Sequence, residues 1–173
     1  MDIKKTIRSI ADWPEKGVIF RDLTTLMKDP DAYAKTCDIF HERYRDEEID
    51  KVAGIDARGF VFGAVLAYRL HLGFIPIRKK GKLPADAISE SYDLEYGQNE
   101  VEIHIDAVKE GEKILLIDDL LATGGTMEAC VKLVKRLGGR VMECGFVVEL
   151  PDLKGRDKLK GEHIFAMTEF EGL

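Results

Sequence analysis

Apolar residues in this chain gather in short continuous runs, separated by stretches where they recur every third or fourth position. The runs Lys51–Asp56 (KVAGID), Phe74–Ile77, Ile114–Ile117 and Val141–Leu150 predict buried strands, and Ile164–Met167 suggests another. Tyr33, Cys37, Phe40 and Tyr44 lie at helical spacing behind Pro30, a residue suited to a first turn, so 30–45 predicts a helix. A second helix is expected from Gly59 to about Leu70. A third carries Met127, Cys130, Val131, Val134 and Leu137 on one face and ends at Gly138-Gly139. Apolar strands alternating with helices predict an α/β fold: a doubly wound, mostly parallel sheet covered on both faces. Two segments stand apart. Residues 1–28 read as irregular, because Trp13-Pro14 and Gly17 break any period. Residues 78–106 start basic and turn-rich, then alternate at Val101, Ile103 and Ile105. They predict a flexible loop that returns through an antiparallel hairpin strand.

With 173 residues, the chain is expected to form one domain, 1–173. Its net charge of −6 argues against a dedicated binder of nucleic acid or of an anionic membrane. No apolar run approaches the roughly 18–20 residues a membrane span needs, and the charged start MDIKKTIRSI carries no secretory signal. Cys37, Cys130 and Cys144 are odd in number and widely spaced, which fits a reducing, cytoplasmic setting better than a disulfide framework. His41, His71, His104 and His163 are scattered, with no spacing suited to a metal, and His104 is expected to face solvent.

The chemistry is concentrated in Ile114 to Ala129, ILLIDDLLATGGTMEA. A buried strand brings Asp118 and Asp119 to the carboxyl edge of the sheet, where open α/β sheets bind ligands. Ala122-Thr123-Gly124-Gly125-Thr126 then opens a helix. Small residues there let backbone amides approach an anion, and the helix end adds partial positive charge. The turn has no GxxxxGK[ST] lysine. Two carboxylates beside a phosphate site repel the phosphate unless they hold hydroxyls or a metal. A phosphorylated sugar, with Mg²⁺, therefore suits the site.

This stretch resembles the phosphoribosyl pyrophosphate signature of the type I phosphoribosyltransferases. Gly17-Val18-Ile19-Phe20-Arg21-Asp22, Gly54-Ile55-Asp56-Ala57-Arg58-Gly59-Phe60, Ile77-Arg78-Lys79-Lys80-Gly81-Lys82-Leu83-Pro84 and Ser91-Tyr92-Asp93-Leu94-Glu95-Tyr96-Gly97 occur in the order of the adenine-using branch of that family. The similarity runs from about Ile7 to Phe170. It implies a sheet with an N-terminal hood (1–28) that binds the base and a flexible β-hairpin lid (78–106). It further implies a homodimer that converts adenine and phosphoribosyl pyrophosphate to AMP and pyrophosphate in purine salvage.

The resemblance also assigns residues. Ala122, Thr123, Gly124, Gly125 and Thr126 are implied to hold the 5′-phosphate. Asp118 and Asp119 would serve the ribose hydroxyls, directly or through hydrated Mg²⁺, with no metal ligated directly by side chains and Mg²⁺ held mainly by substrate and water. Asp56, Ala57 and Arg58 form another strand-to-helix turn able to hold an anion, and the resemblance gives it to pyrophosphate. Many relatives carry serine where Ala57 stands, so backbone contacts are expected there. Arg78, Lys79, Lys80 and Lys82 put four cations in five residues. Such a run is ordinarily solvated, but Arg78, Lys79 and Lys82 are expected to serve pyrophosphate, with Arg78 reaching across the dimer interface. Tyr92 and Tyr96 would belong to the lid, and Glu95 would help position or deprotonate the base. Phe20 offers a stacking face, with backbone groups of Ile19 and Arg21 pairing with adenine; sequence alone favours a core phenylalanine. Two alternatives stand beside this reading: the same transfer to another purine base, and a regulator that binds phosphoribosyl pyrophosphate without turnover.

Overall fold

The computed structural model describes residues 1–94 and 96–172. Its N-terminal part is ordered secondary structure, not the irregular stretch expected. A 3-10 turn at Ile3–Thr6 leads into β1 (Arg8–Ala11), which pairs antiparallel with β2 (Ile19–Asp22). Pro14 and Gly17 lie between these strands, so they close a ribbon instead of ending one. Each strand is only 4 residues long, too short to display a period. α1 (Thr24–Lys28) and α2 (Pro30–Tyr44) follow. The Asp29 carboxylate accepts from the amides of Asp31 and Ala32, both at 3.0 Å, satisfying donors the first turn of α2 leaves open.

Beyond α2 come β3 (Lys51–Ile55), α3 (Arg58–Leu70), β4 (Gly73–Lys79), β5 (Ala87–Asp93) and β6 (Gln98–His104). Then follow β7 (Lys113–Leu121), α4 (Gly125–Arg136), β8 (Arg140–Glu149) and β9 (Ile164–Glu169). The main sheet has the order β5-β6-β4-β3-β7-β8-β9. Strands β4, β3, β7, β8 and β9 are parallel, and β5–β6 is an antiparallel hairpin. The hairpin joins the end of β4 through Arg78↔Glu102 and Lys79↔Val101.

Segment 78–106 thus supplies two hairpin strands where one was expected. In β5, Ser89, Glu90 and Ser91 leave no apolar run to announce a strand. Ile105 falls outside β6 and is 49 % exposed. His104 is half-buried and takes the Ala85 amide at 3.4 Å, so it does not simply face solvent.

Alternation along β7 shows why its run is continuously apolar. Ile114 and Leu116 enter one core, with Cys130, Val134 and Cys144. Leu115 and Ile117 enter the other, with Phe40, Phe62 and Leu66. Helix α4 covers the first face and α2 and α3 cover the second. Phe40 is fully buried, with its ring 6.3 to 6.5 Å from those of Tyr44, Phe62 and Phe165. Burial of that one side chain contributes roughly 1.5–3 kcal/mol. The three thiols are free and buried, Cys37 in the second core and Cys130 and Cys144 in the first. Burial pushes all three pKa values up, that of Cys144 to about 12. No helix among the described residues is long and apolar enough to cross a membrane.

Candidate active site

The carboxyl ends of β3 and β7 meet at one edge of the sheet. β3 ends at Ile55, and Asp56-Ala57 turns the chain into α3 through a cis peptide. β7 runs four residues past the expected Ile117, so Asp118 and Asp119 lie within the strand and Ala122–Gly124 makes the turn into α4. Alternation sends the two carboxylates to opposite faces. Asp119 is buried and accepts from Nε of Arg58, the first residue of α3. Asp118 is half-buried, its Oδ1 3.0 Å from where a side chain on Gly59 of α3 would begin, and its charge helps to raise the Cys130 thiol of α4.

The electrostatics follow from this split. Burial, and then the neighbouring Asp119 charge, push the Asp118 carboxyl well above the ordinary range. The Asp119 amide donates to Asp118 Oδ1 at 2.9 Å, which offsets part of that push. Around Arg58, burial opposes the charge. Asp119, Asp118 and Asp22 outweigh burial and hold the guanidinium protonated. Asp22 directly follows the Ile19–Arg21 strand segment, so the N-terminal ribbon is electrically coupled to this edge of the sheet.

Two cavities meet at these residues. The larger, about 300 Å³, is lined by Asp56, Ala57, Arg58, Lys79, Tyr92, Asn99, Asp118 and Asp119, among others. The smaller, about 70 Å³, is lined by Asp118 and the whole Ala122–Thr126 turn. Asp118, Leu120 and Thr126 border both, so the cavities form one cleft. It has an anion-sized backbone cradle at one end, a second βα turn at the other, and carboxylates between them. Phosphate groups suit the two turns, and sugar hydroxyls suit the carboxylates. Among the described residues, no cluster of three His, Cys, Asp or Glu could hold a metal ion. The two adjacent carboxylates suit a Mg²⁺ that arrives with a phosphorylated substrate and keeps most of its waters.

The structure brings together most of the residues singled out from sequence. Arg78 is near the cleft, with Nε 3.3 Å from Asp56 Oδ2 in the same chain. Lys79 lines the cleft, while Lys82 is exposed and lines neither cavity. Tyr92 enters the cleft from β5; Tyr96 stands 82 % exposed at the hairpin tip. Glu95 lies outside the described residues. Ile19, Phe20 and Arg21 form β2 and line neither cavity. Phe20 is half-buried, with the Trp13 ring edge-on at 4.6 Å. The Arg21 side chain is committed elsewhere. It donates to Ser9 Oγ at 2.6 Å and the Glu171 carbonyl at 3.1 Å, and its guanidinium lies 4.4 Å over Phe170.

Sequence reasoning missed Asn99 and the turn at Gly155, which begins a 3-10 segment, Gly155–Leu159. Gly124 has φ +86°, and a Cβ on it would run into the Gly155 carbonyl. A Cβ on Gly155 would lie 2.5 Å from the Ala122 carbonyl oxygen. The cradle therefore rests on a second backbone segment about thirty residues away, a contact for which the local sequence holds no signal.

Residues 23–168 match the family model of the phosphoribosyl transferase domain. The adenine phosphoribosyltransferase of Desulfosudis oleivorans is 55 % identical over 172 residues, 99 % of each chain. The crystal structure of adenine phosphoribosyltransferase from Thermoanaerobacter pseudethanolicus superposes with a TM-score of 0.93 at 48 % identity, covering 97 % of this chain and 98 % of that one. The Saccharomyces cerevisiae enzyme, crystallised with an imino-altritol bisphosphate and adenine, gives 0.90 at 36 % identity, covering 95 % and 96 %.

Proposed function

The chain belongs to the adenine phosphoribosyltransferases, a branch of the phosphoribosyl transferase family, and we propose how its residues divide the work of that reaction. The enzyme is a pentosyltransferase of purine salvage. Adenine displaces pyrophosphate from the anomeric carbon of phosphoribosyl pyrophosphate, giving AMP and pyrophosphate. The observation that carries the assignment of roles is the single cleft, with carboxylates between two backbone anion turns.

In this reading Ala122–Thr126 binds the 5′-phosphate through backbone amides and the threonine hydroxyls. Asp118 and Asp119 hold the ribose hydroxyls. Their negative charge favours the positive charge that develops on the sugar as the bond to pyrophosphate breaks. The Asp56–Arg58 turn, with Arg78 and Lys79, receives the departing pyrophosphate, and Lys82, exposed outside the cleft, would add its charge from the loop. Asp118 and Asp119 would hold, through water, a Mg²⁺ brought by the substrate, whose charge would ease departure of pyrophosphate. Tyr92, and with it Tyr96 and Glu95, would close the cleft and exclude water from the reacting carbon. Phe20 would stack on adenine while the Ile19 and Arg21 backbones pair with its edge, the Arg21 side chain serving to fasten β2. We place the enzyme in the cytoplasm, where unpaired Cys37, Cys130 and Cys144 suit a reducing medium.

The test offers adenine, hypoxanthine, guanine, xanthine and uracil separately, with phosphoribosyl pyrophosphate and Mg²⁺. AMP and pyrophosphate are expected with adenine alone, and chelation of the metal is expected to stop turnover. Product from another base would overturn the Ile19–Arg21 segment as the contact that selects adenine.

We also propose a homodimer with shared sites, supported by the Arg78 correspondence and by the apolar exposure of Tyr68 on α3, 85 % accessible in one chain. Mixed dimers of Arg78→Ala with a cradle-inactivated chain are expected to regain turnover, because one site per dimer then holds both an intact cradle and a partner arginine. Mixed dimers as inactive as their parents would confine Arg78 to its own chain.

A further inference from the structure

The Ala122–Thr126 turn contains no cation of its own, yet the structure places one beside it. The ammonium of Lys158 lies 3.7 Å from where a side chain on Gly125 would begin, at the first residue of α4. Its position is built by its neighbours. The Gly155 carbonyl abuts Gly124. The Arg156 guanidinium grips buried Glu149, the last residue of β8, with two bonds of 2.8 Å. Leu159 is buried, 3 % exposed, in the α4-side core. Three of these five residues are thus fastened around Lys158.

A cation at this point is opposed by the helix, whose free amides and dipole favour negative charge. Among the described residues no carboxylate compensates it. Glu128 and Glu162, which share a surface depression with Lys158, pair with Lys132 and Lys135 instead. Among the described residues Lys158 makes no ion pair. An anion held by the cradle amides would remove the conflict, because it satisfies the helix end and the ammonium together.

We propose that Lys158 is the side-chain cation for the 5′-phosphate of substrate and product, and that the Gly155–Leu159 turn is an integral part of that phosphate site. The proposal rests on the reading of Ala122–Thr126 as the 5′-phosphate cradle. Lys158 is exposed, so its replacement leaves the core intact.

The experiment compares the full-length enzyme with Lys158→Gln, Lys158→Arg and, as a control on the cradle, Thr126→Val. AMP carries the 5′-phosphate and pyrophosphate does not, so calorimetric titration with each separates the two anion turns. Lys158→Gln is expected to weaken AMP about tenfold, leave pyrophosphate affinity unchanged and the melting temperature no lower, and raise KM for phosphoribosyl pyrophosphate but not for adenine. Lys158→Arg is expected to recover most of the loss, and the difference between Lys158→Gln and the parent to narrow at high salt. If Thr126→Val weakens AMP while Lys158→Gln does not, the Lys158 assignment fails and the cradle stands. If neither variant weakens AMP, the cradle reading fails and takes the assignment with it. An equal loss for AMP and pyrophosphate in Lys158→Gln would also overturn the proposal, since it would mark a general field effect.

Discussion

Asp118→Asn is expected to lower turnover by about a hundredfold or more, the scale seen when one preorganised electrostatic contact to a transition state is removed, while the fold becomes no less stable. The two effects part because the carboxylate is costly to the folded chain. Burial and the Asp119 charge hold its pKa above the ordinary value, so ionising it is harder folded than unfolded. The sign follows directly. This residue's contribution to stability is greatest below the unfolded value of about 4 and declines as pH rises through the higher folded value. The amide has no such penalty and can still accept the Asp119 amide hydrogen at Oδ1. Melting curves from acid to neutral pH should therefore show the variant gaining on its parent as pH rises, while steady-state AMP formation shows the catalytic loss. Near-normal turnover in the variant would remove the Asp118 carboxylate from the mechanism.

Gly124→Ala is expected to lose both function and stability. The residue has φ +86°, where a Cβ costs about 1–2 kcal/mol, and the added carbon would overlap the Gly155 carbonyl. Neither partner can yield by rotating a side chain, because both are backbone. The melting temperature should fall by roughly 5 °C, at about 2–4 °C for each kcal/mol in a chain of this size. The catalytic loss should be larger. A cradle displaced by about 1 Å misplaces every group of the substrate and can cost a hundredfold in kcat/KM. Gly155→Ala approaches the same contact from the other side and should weaken phosphoribosyl pyrophosphate binding in parallel. A kinetically normal Gly124→Ala enzyme would show that the interlocked backbones do not shape the phosphate site.

Which features could be read from the chain depends on where their physical cause lies. The β7 run and the ATGGT turn carry their cause within sixteen residues: continuous burial, then small residues at a helix start. The central strands are legible for the same reason, and α4 through the spacing of its apolar face. The ribbon of β1 and β2 was not legible, because four-residue strands around Pro14 and Gly17 show more break than period. β5 was hidden by its own polarity. It is held by pairing with β6 and by Ile88 and Tyr92 packed against the α4-side core. Lys158, Gly155 and the Arg58–Asp119 pair depend on contacts between distant segments, which no local pattern encodes. The Arg21 side chain, whose bonds go to Ser9 and the Glu171 carbonyl, likewise depends on distant segments.

The placement of the three thiols gives the enzyme an internal gauge of its own opening. Cys130, on the inner face of α4, and Cys144, on β8, lie in the core between α4 and the sheet, and Cys37, on α2, lies in the core on the opposite side of the sheet. Burial withholds all three from solvent and suppresses the reactive thiolate. An alkylating reagent therefore reacts only when the layer above a given cysteine lifts. Mass-resolved labelling kinetics would then time the exposure of each layer separately: equal rates mean the two cores open in one cooperative event, and unequal rates identify the layer that detaches first.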